Sequence, residues 1–182
     1  MNVYLDTATE DFVLILFDDN FKVLDSVLLQ GYKKKVQLIT EQFEMLLNKN
    51  KLKVQDITGL YTNLGPGFFT GVRSSLVYFR TISLLTGAKT FFTNSFKLLK
   101  NQKPDLEMLI LDAQGNKKYC FETKNIFYDE NTIQVLETEQ VAMKIDYQAI
   151  INNFANYKNC FEEILAMQAE PLYIKKPQIG GH

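Results

Sequence analysis

Histidine is nearly missing from this chain of 182 residues: the one copy, His182, is the last residue and follows Gly180 and Gly181. Residues 180–182 read as the remnant of a purification tag, which would leave the rest of the chain without histidine. A Ser-His-Asp or Cys-His nucleophile and a histidine-ligated metal centre are then excluded by counting, and no metal site is expected. Arginine is almost as scarce. Arg73 and Arg80 are the two copies, and the other eighteen basic residues are lysines. Twenty bases against 21 acids give a net charge of -1, so the basic excess and forked guanidinium groups of a stand-alone nucleic-acid binder are lacking. Two cysteines, Cys120 and Cys160, stand forty positions apart with no paired spacing. With no charged-then-apolar leader at the start, reduced thiols in a cytoplasmic protein are the expectation. No run approaches the roughly 20 apolar residues of a membrane span.

What is present is a globular composition, 46% apolar and 23% charged. A chain of this length buries about 70% of its unfolded surface, enough for one large domain or two small lobes. Three short strands open it, at Asn2 to Thr7, Phe12 to Phe17 and Lys22 to Leu29, separated by acidic turns. This pattern predicts an antiparallel meander. From Lys34 to Asn48 the period changes to that of a helix, with Val36, Ile39, Phe43, Leu46 and Leu47 on one face. A strand is expected at Ile57 to Thr62, and a second helix at Val72 to Leu85 with Thr70 as its cap. That second helix is apolar nearly all round, so one face must meet something beyond its own sheet. A strand at Thr90 to Phe92 and a helix at Ser95 to Leu99 complete a first lobe over residues 1–103, ending at the polar segment around Pro104. A smaller lobe over 104–179 carries strands near Met108 to Asp112, Lys118 to Glu122 and Ile133 to Leu136, and a helical stretch near Asn159 to Ala169. The order is that of two ribonuclease-H-like lobes, an α/β fold whose second half is reduced.

Three of the nine glycines fall in Gly65-Pro66-Gly67-Phe68-Phe69-Thr70-Gly71, between a predicted strand and a predicted helix. Such a junction invites a phosphate, because helix N-terminal amides and the helix dipole favour an anion. The spacing argues otherwise. Gly71 comes one position late for a dinucleotide fingerprint, no Gly-Lys-Ser/Thr follows, and Pro66 has no N–H to offer. Two phenylalanine rings also stand where a cradle wants little side chain. As physics, the loop is a rigid turn that presents aromatic surface and launches a helix.

GPGFFTGVR resembles the GPGSFTGLR signature of the TsaB (YeaZ) family, whose members belong to the actin, sugar kinase and Hsp70 superfamily and help to make threonylcarbamoyladenosine in tRNA. VYLDTAT is similar to that family's first strand, ITGLYTNLGPG to the strand entering its loop, LILDAQGNKKYCF to its I-D-A-R-x-x-x-V-Y segment, and EPLYIKKP to its closing P-x-Y-L-R. Phe68 stands where the family has serine, Gln114 where it has arginine, and Lys34-Lys35-Val36 replaces R-x-H-S. The resemblance places Gly65 to Gly71 and Arg73 in the family loop, and Asp6 and Thr7 at the superfamily's first phosphate motif, here a vestigial nucleotide site.

The resemblance implies a scaffold with no catalytic residue of its own, which binds TsaD during threonylcarbamoyl transfer to adenosine 37 of tRNA. It also implies a TsaE-type ATPase as third partner, ATP or ADP with magnesium only at the junction of subunits, tRNA contact only through the complex, and a possible homodimer. Val36, Ile39, Phe43, Leu76, Phe79, Arg80 and Ser83 are the expected interface. A charge at Leu76 or Phe79 is expected to abolish capture of TsaD while leaving the monomer folded. Lys33 to Lys35 read as a solvated helix start. The rival from the enzyme class is a small sugar- or acetate-kinase-like phosphotransferase using Asp6 and the glycine loop.

Overall fold

The computed structural model describes residues 1–32 and 35–174. Lys33, Lys34, the end of the EPLYIKKP segment and residues 180–182 lie outside the described residues. Within them the chain is a mixed α/β fold of ribonuclease-H type. Strands β1 (Asn2–Asp6), β2 (Phe12–Phe17) and β3 (Val23–Leu29) form the expected antiparallel meander. On the other side of β1 lie β4 (Gly59–Asn63) and β5 (Lys89–Thr93), each parallel to its neighbour. Helices α1 (Lys35–Lys49) and α2 (Phe69–Thr86) lead into β4 and β5 respectively.

Alternation along the central strands puts side chains on two buried faces. Val3, Leu5, Phe12, Leu14 and Leu16 meet α1 and α2 through Ile39, Phe43, Phe79 and Ile82. Tyr4, Val13, Ile15 and Phe17 point the other way, into a core shared with the second lobe. A strand buried on both faces needs no polar alternation, which is why Phe12 to Phe17 reads as an unbroken apolar run.

Helix α3 (Ser95–Gln102) leads from β5 into an antiparallel sheet of β6 (Met108–Asp112), β7 (Lys117–Glu122) and β8 (Ile133–Glu137). One hydrophobic cluster unites Phe17, Phe96, Leu109, Phe121, Ile150 and Phe154 across residues 1–103 and 104–179.

Two expectations are corrected. The helix proposed for Asn159 to Ala169 is absent. The helical segments lie earlier, in α4 (Tyr147–Asn152) and a 3-10 stretch at Phe154–Cys160, after which β9 (Glu162–Glu163) pairs antiparallel with β5. The open edge of β5 offers backbone partners that outweigh the local helical preference of the sequence. Helix α2 begins at Phe69 rather than Val72, and its N-cap is Phe68, which gives no side-chain cap. Thr70 is therefore inside the first turn.

Candidate functional site

Three segments meet at the C-terminal ends of β1 and β4: the turn Asp6 to Asp11, the glycine loop, and the start of α1. Asp6 is 1% exposed and its carboxylate is fully engaged within the chain. One oxygen accepts the Ala8 amide at 2.8 Å. The other accepts the hydroxyls of Tyr4 at 2.6 Å and Tyr147 at 2.8 Å, and the Asn63 side-chain amide at 3.0 Å. Three of the four donors fall on that second oxygen, so a magnesium ion there would have to displace part of this network. Among the described residues no group of three or more His, Cys, Asp or Glu is placed to hold a metal. Asn63 passes the network on, donating also to Ser95 Oγ at 2.9 Å and accepting the Gly65 amide at 2.9 Å. Tyr147 comes from α4, so the carboxylate that would face a ligand in the vestigial site instead ties the two lobes together.

Burial raises the hydroxyl pKa of both Tyr4 and Tyr147 well above 10, and the neighbouring charge of Asp6 adds to the rise. A phenol whose folded pKa exceeds its unfolded one contributes stability that is fully present below the unfolded value and lost as pH climbs toward the folded one. The protein should therefore keep its neutral-pH stability up to about pH 10 and lose it above. Absorbance titration near 295 nm should show Tyr4 and Tyr147 ionising only as the fold is lost, with Tyr61, pushed up to about 12 chiefly by burial, also late. Replacing Tyr147 by phenylalanine should remove one of these late groups. A full complement of tyrosines titrating near pH 10 with the fold intact would contradict this arrangement.

The glycine loop is shaped by contact with the β1–β2 turn. The Phe68 amide donates to the Ala8 carbonyl at 2.6 Å, and the Thr7 hydroxyl donates to the Gly71 carbonyl at 2.7 Å. A Cβ on Gly67 would lie 2.9 Å from the Ala8 carbonyl carbon, and one on Gly71 2.9 Å from that of Thr7, with the carbonyl oxygens closer still. Gly67 and Gly71 are thus needed for the approach of protein backbone, and the amide of Phe68, the N-cap of α2, is taken by the Ala8 carbonyl.

Lys35, expected as part of a solvated helix start, is instead buried and closes the arrangement, because its side chain turns in toward the carbonyls of the β1–β2 turn. Its ammonium is buried and donates to the Thr7 and Thr9 carbonyls. It also sits 4.8 Å from the centre of the Phe68 ring, an attraction a serine at 68 could not supply. Burial lowers its pKa while Asp6, Asp11 and Glu10 push the other way. Arg73 lies over Phe69 at 4.7 Å, and Phe69 packs on Tyr173 at 5.2 Å. Two clefts flank the loop. One of about 380 Å³ is lined by Phe68, Phe69, Gln114, Tyr119 and Tyr173, the other of about 310 Å³ by Glu10, Asp11, Phe68, Met143 and Lys144.

Asp6, Thr7, Gly65 to Gly71 and Arg73 are thus brought together. Most of the expected interface residues are not available for docking. Ile39, Phe43, Leu76 and Phe79 are buried in their own chain, because both helices turn their most apolar faces to the sheet. A charge at Leu76 or Phe79 would unfold the monomer rather than spare it. The Ser83 hydroxyl is spent on the Ala88 carbonyl at 2.8 Å, and Arg80 donates to backbone carbonyls of its own chain. Val36 remains exposed. The outward face of the helix pair carries instead Val77 at 57%, Leu84 at 69% and Leu85 at 80% exposure on α2, with Met45 on α1. Asn63 and Tyr147 are further site residues that sequence reasoning missed, and Lys35 is one that it read as solvated. Proximity of Asn63 to the loop was the only signal for any of them, since Tyr147 is 141 positions from its partner.

The fold is shared with two solved structures from Pseudomonas aeruginosa. One is described as similar to the peptidase YeaZ, with a TM-score of 0.65, 18% identity and coverage of 96% of this chain and 100% of that one. The other is YeaZ itself, with a TM-score of 0.64, 18% identity, and 95% and 100% coverage. No family model matches the chain. In sequence it is similar to the MG208 homolog of Mycoplasma pneumoniae, 29% identical over 123 residues, which are 65% of this chain and 60% of that protein. It is also similar to MG208 of Mycoplasma genitalium, 23% identical over 189 residues, 96% of this chain and 95% of that one. The chain thus spans less than two thirds of the Mycoplasma pneumoniae protein it matches.

Proposed function

We propose that this chain is a TsaB-type scaffold, without catalytic residues of its own, that binds a TsaD-like subunit for threonylcarbamoyl transfer to adenosine 37 of tRNA. The observation that carries the reading is the pairing of a self-satisfied Asp6 with an apolar helix face turned outward on a YeaZ-like fold. A carboxylate bonded four ways within its own chain is poorly placed to do phosphoryl transfer, where charge must be stabilised through a metal or a basic clamp. Lys35, beside Phe68, is committed to carbonyls, and Arg73 lies over the Phe69 ring. Leu84 and Leu85, by contrast, have no partner in their own fold that would remove them from water, and apolar side chains grouped on one helix face favour a helical partner.

In this reading a TsaE-like ATPase is the third partner, nucleotide and magnesium bind only at the junction of subunits, and tRNA is met through the assembled complex. The near-neutral charge is consistent with that division of labour, since a partner can supply both the metal and the basic surface. Among the described residues no helix is long and apolar enough to cross a membrane.

Two measurements test the proposal. Affinity capture with the tagged chain from its own cells should recover a TsaD-like protein. Calorimetry of the isolated protein with ATP and magnesium should show no tight binding and no hydrolysis. Tight binding with turnover would replace the scaffold reading by the phosphotransferase one.

A further inference from the structure

After β9 the chain returns along β5 and α2 to the glycine loop, and the first part of this return is held at many points. The Ile164 amide donates to the Thr90 carbonyl at 3.1 Å, and the Ile164 carbonyl accepts the Thr90 hydroxyl at 2.5 Å. Lys89 pairs with Glu163 at 3.0 Å, and Lys97 with Glu162. Arg80 Nε donates to the Ala166 carbonyl at 2.8 Å, a terminal nitrogen of the same group donates to the Ala169 carbonyl, and the Glu170 carboxylate lies 3.8 Å from it. Ala169 is buried against Leu76 and Phe92. Beyond Glu170 the attachment thins. The Leu172 amide donates to the Leu64 carbonyl at 2.8 Å, the half-buried Leu172 and Ile174 pack on the shared core, and the Tyr173 ring meets Phe69 at 5.2 Å. Pro171, at the joint, has no amide proton to add.

We propose that residues 171–174 are a gate on the cleft of about 380 Å³ beside the glycine loop, hinged at Glu170–Pro171 and closed by Tyr173 on Phe69. All four residues line that cleft, together with Phe68, Phe69, Gln114 and Tyr119. The lobes themselves are poorly placed to open it. They share one hydrophobic cluster and are tied by the Tyr147 hydroxyl on Asp6 and by Lys144 on Glu10. What is left to move is the 171–174 wall. A segment held by few bonds and half-buried side chains opens at a lower free energy than the whole fold. Arg73 already lies over the Phe69 ring at 4.7 Å, so release of Tyr173 would bare aromatic surface that the closed chain covers. Phe69 is 41% exposed and Tyr173 40% exposed, which puts the closing contact at the surface, where it can part without disturbing the core. The gate does not depend on the scaffold reading, since it concerns the free chain.

Native-state hydrogen exchange on the full chain tests the gate. Relative to their intrinsic rates, the Leu172 amide should exchange about tenfold or more faster than the Ile164 amide, because the first is released with the gate and the second only with the sheet. Tyr173→Ala should speed exchange at Leu172 about three- to tenfold, the usual strength of an aromatic pair, and leave Ile164 unchanged. Tyr173→Phe, which keeps the ring, should behave as wild type. Access to the cleft is read separately. Val72→Cys places a thiol on its lining, against a background of Cys120 and Cys160, both buried. Reaction of that thiol with N-ethylmaleimide should rise with Tyr173→Ala by the same factor as the exchange. It should stay unchanged with Glu10→Gln, which weakens the exposed ion pair between the lobes. Leu172 and Ile164 amides exchanging at one rate, that of global unfolding, would overturn the gate. So would labelling indifferent to Tyr173→Ala, whether or not Glu10→Gln moves it, since the chain end would then not control entry.

Discussion

Gly71→Ala should destabilise the protein by roughly 3 kcal/mol or more, a fall of about 6 to 12 °C in melting temperature for a chain of this size. The sign is what makes the experiment informative. Gly71 lies inside the first turn of α2, and there alanine would ordinarily stabilise a helix by about 1 kcal/mol. The opposite is expected because the new Cβ would press into the carbonyl of Thr7, 2.9 Å from its carbon, where the listening atoms are backbone and cannot rotate away. Moving the helix off β1 instead would break the bond from the Thr7 hydroxyl to the Gly71 carbonyl and that from the Phe68 amide to Ala8. Gly67→Ala should behave in the same way against Ala8. Gly115 supplies the contrast: its φ of +67° carries a modest penalty for any side chain, but nothing lies within 4 Å of its Cβ position. Gly115→Ala should therefore cost only about 1 to 2 kcal/mol. A Gly71→Ala protein that melts at or above the wild-type temperature would show that the loop does not depend on this backbone approach.

How far these features could be read from the chain alone depended on the range of the interactions behind them. The meander was legible because β1, β2 and β3 pair with sequence neighbours, and Phe12 to Phe17 advertises double burial. Helices α1 and α2 were legible through their period, yet their outward faces were not. A helix carrying apolar residues nearly all round gives no clear direction to its own sheet, so Leu76 and Phe79 looked as available as Leu84 and Leu85. Only the packing of Phe79 against Phe43 and the sheet decides between them. The false helix at Asn159 to Ala169 has a similar origin. Its local preference was sound, but β9 answers to β5, some seventy residues earlier. At the site, the glycines and Asp6 were visible by spacing and position. The donors that neutralise Asp6 were not, because Tyr147 reaches it only through the docking of the second lobe.

Leu84→Asp should abolish capture of the TsaD-like partner while leaving the monomer folded, an effect of about 100-fold or more in affinity. In the free protein Leu84 is 69% exposed, so a carboxylate there stays in water and should change stability by no more than about 0.5 kcal/mol. In a docked complex the same carboxylate would be removed from water against apolar side chains, and the neighbouring cation, Arg80, is already engaged by the Ala166 and Ala169 carbonyls and Glu170. Leaving a charge buried and unpaired costs about 3 to 5 kcal/mol, which sets the expected loss. Leu76→Asp makes the complementary case: Leu76 is 2% exposed against Phe92 and Ala169, so the charge penalty falls on the monomer and that variant should fail to fold. The two aspartates, eight positions apart on one helix, should thus separate loss of partner from loss of structure. Circular dichroism and melting temperature report the second, and affinity capture the first. A folded Leu84→Asp protein that recovers the partner at wild-type yield would remove this part of α2 from the interface.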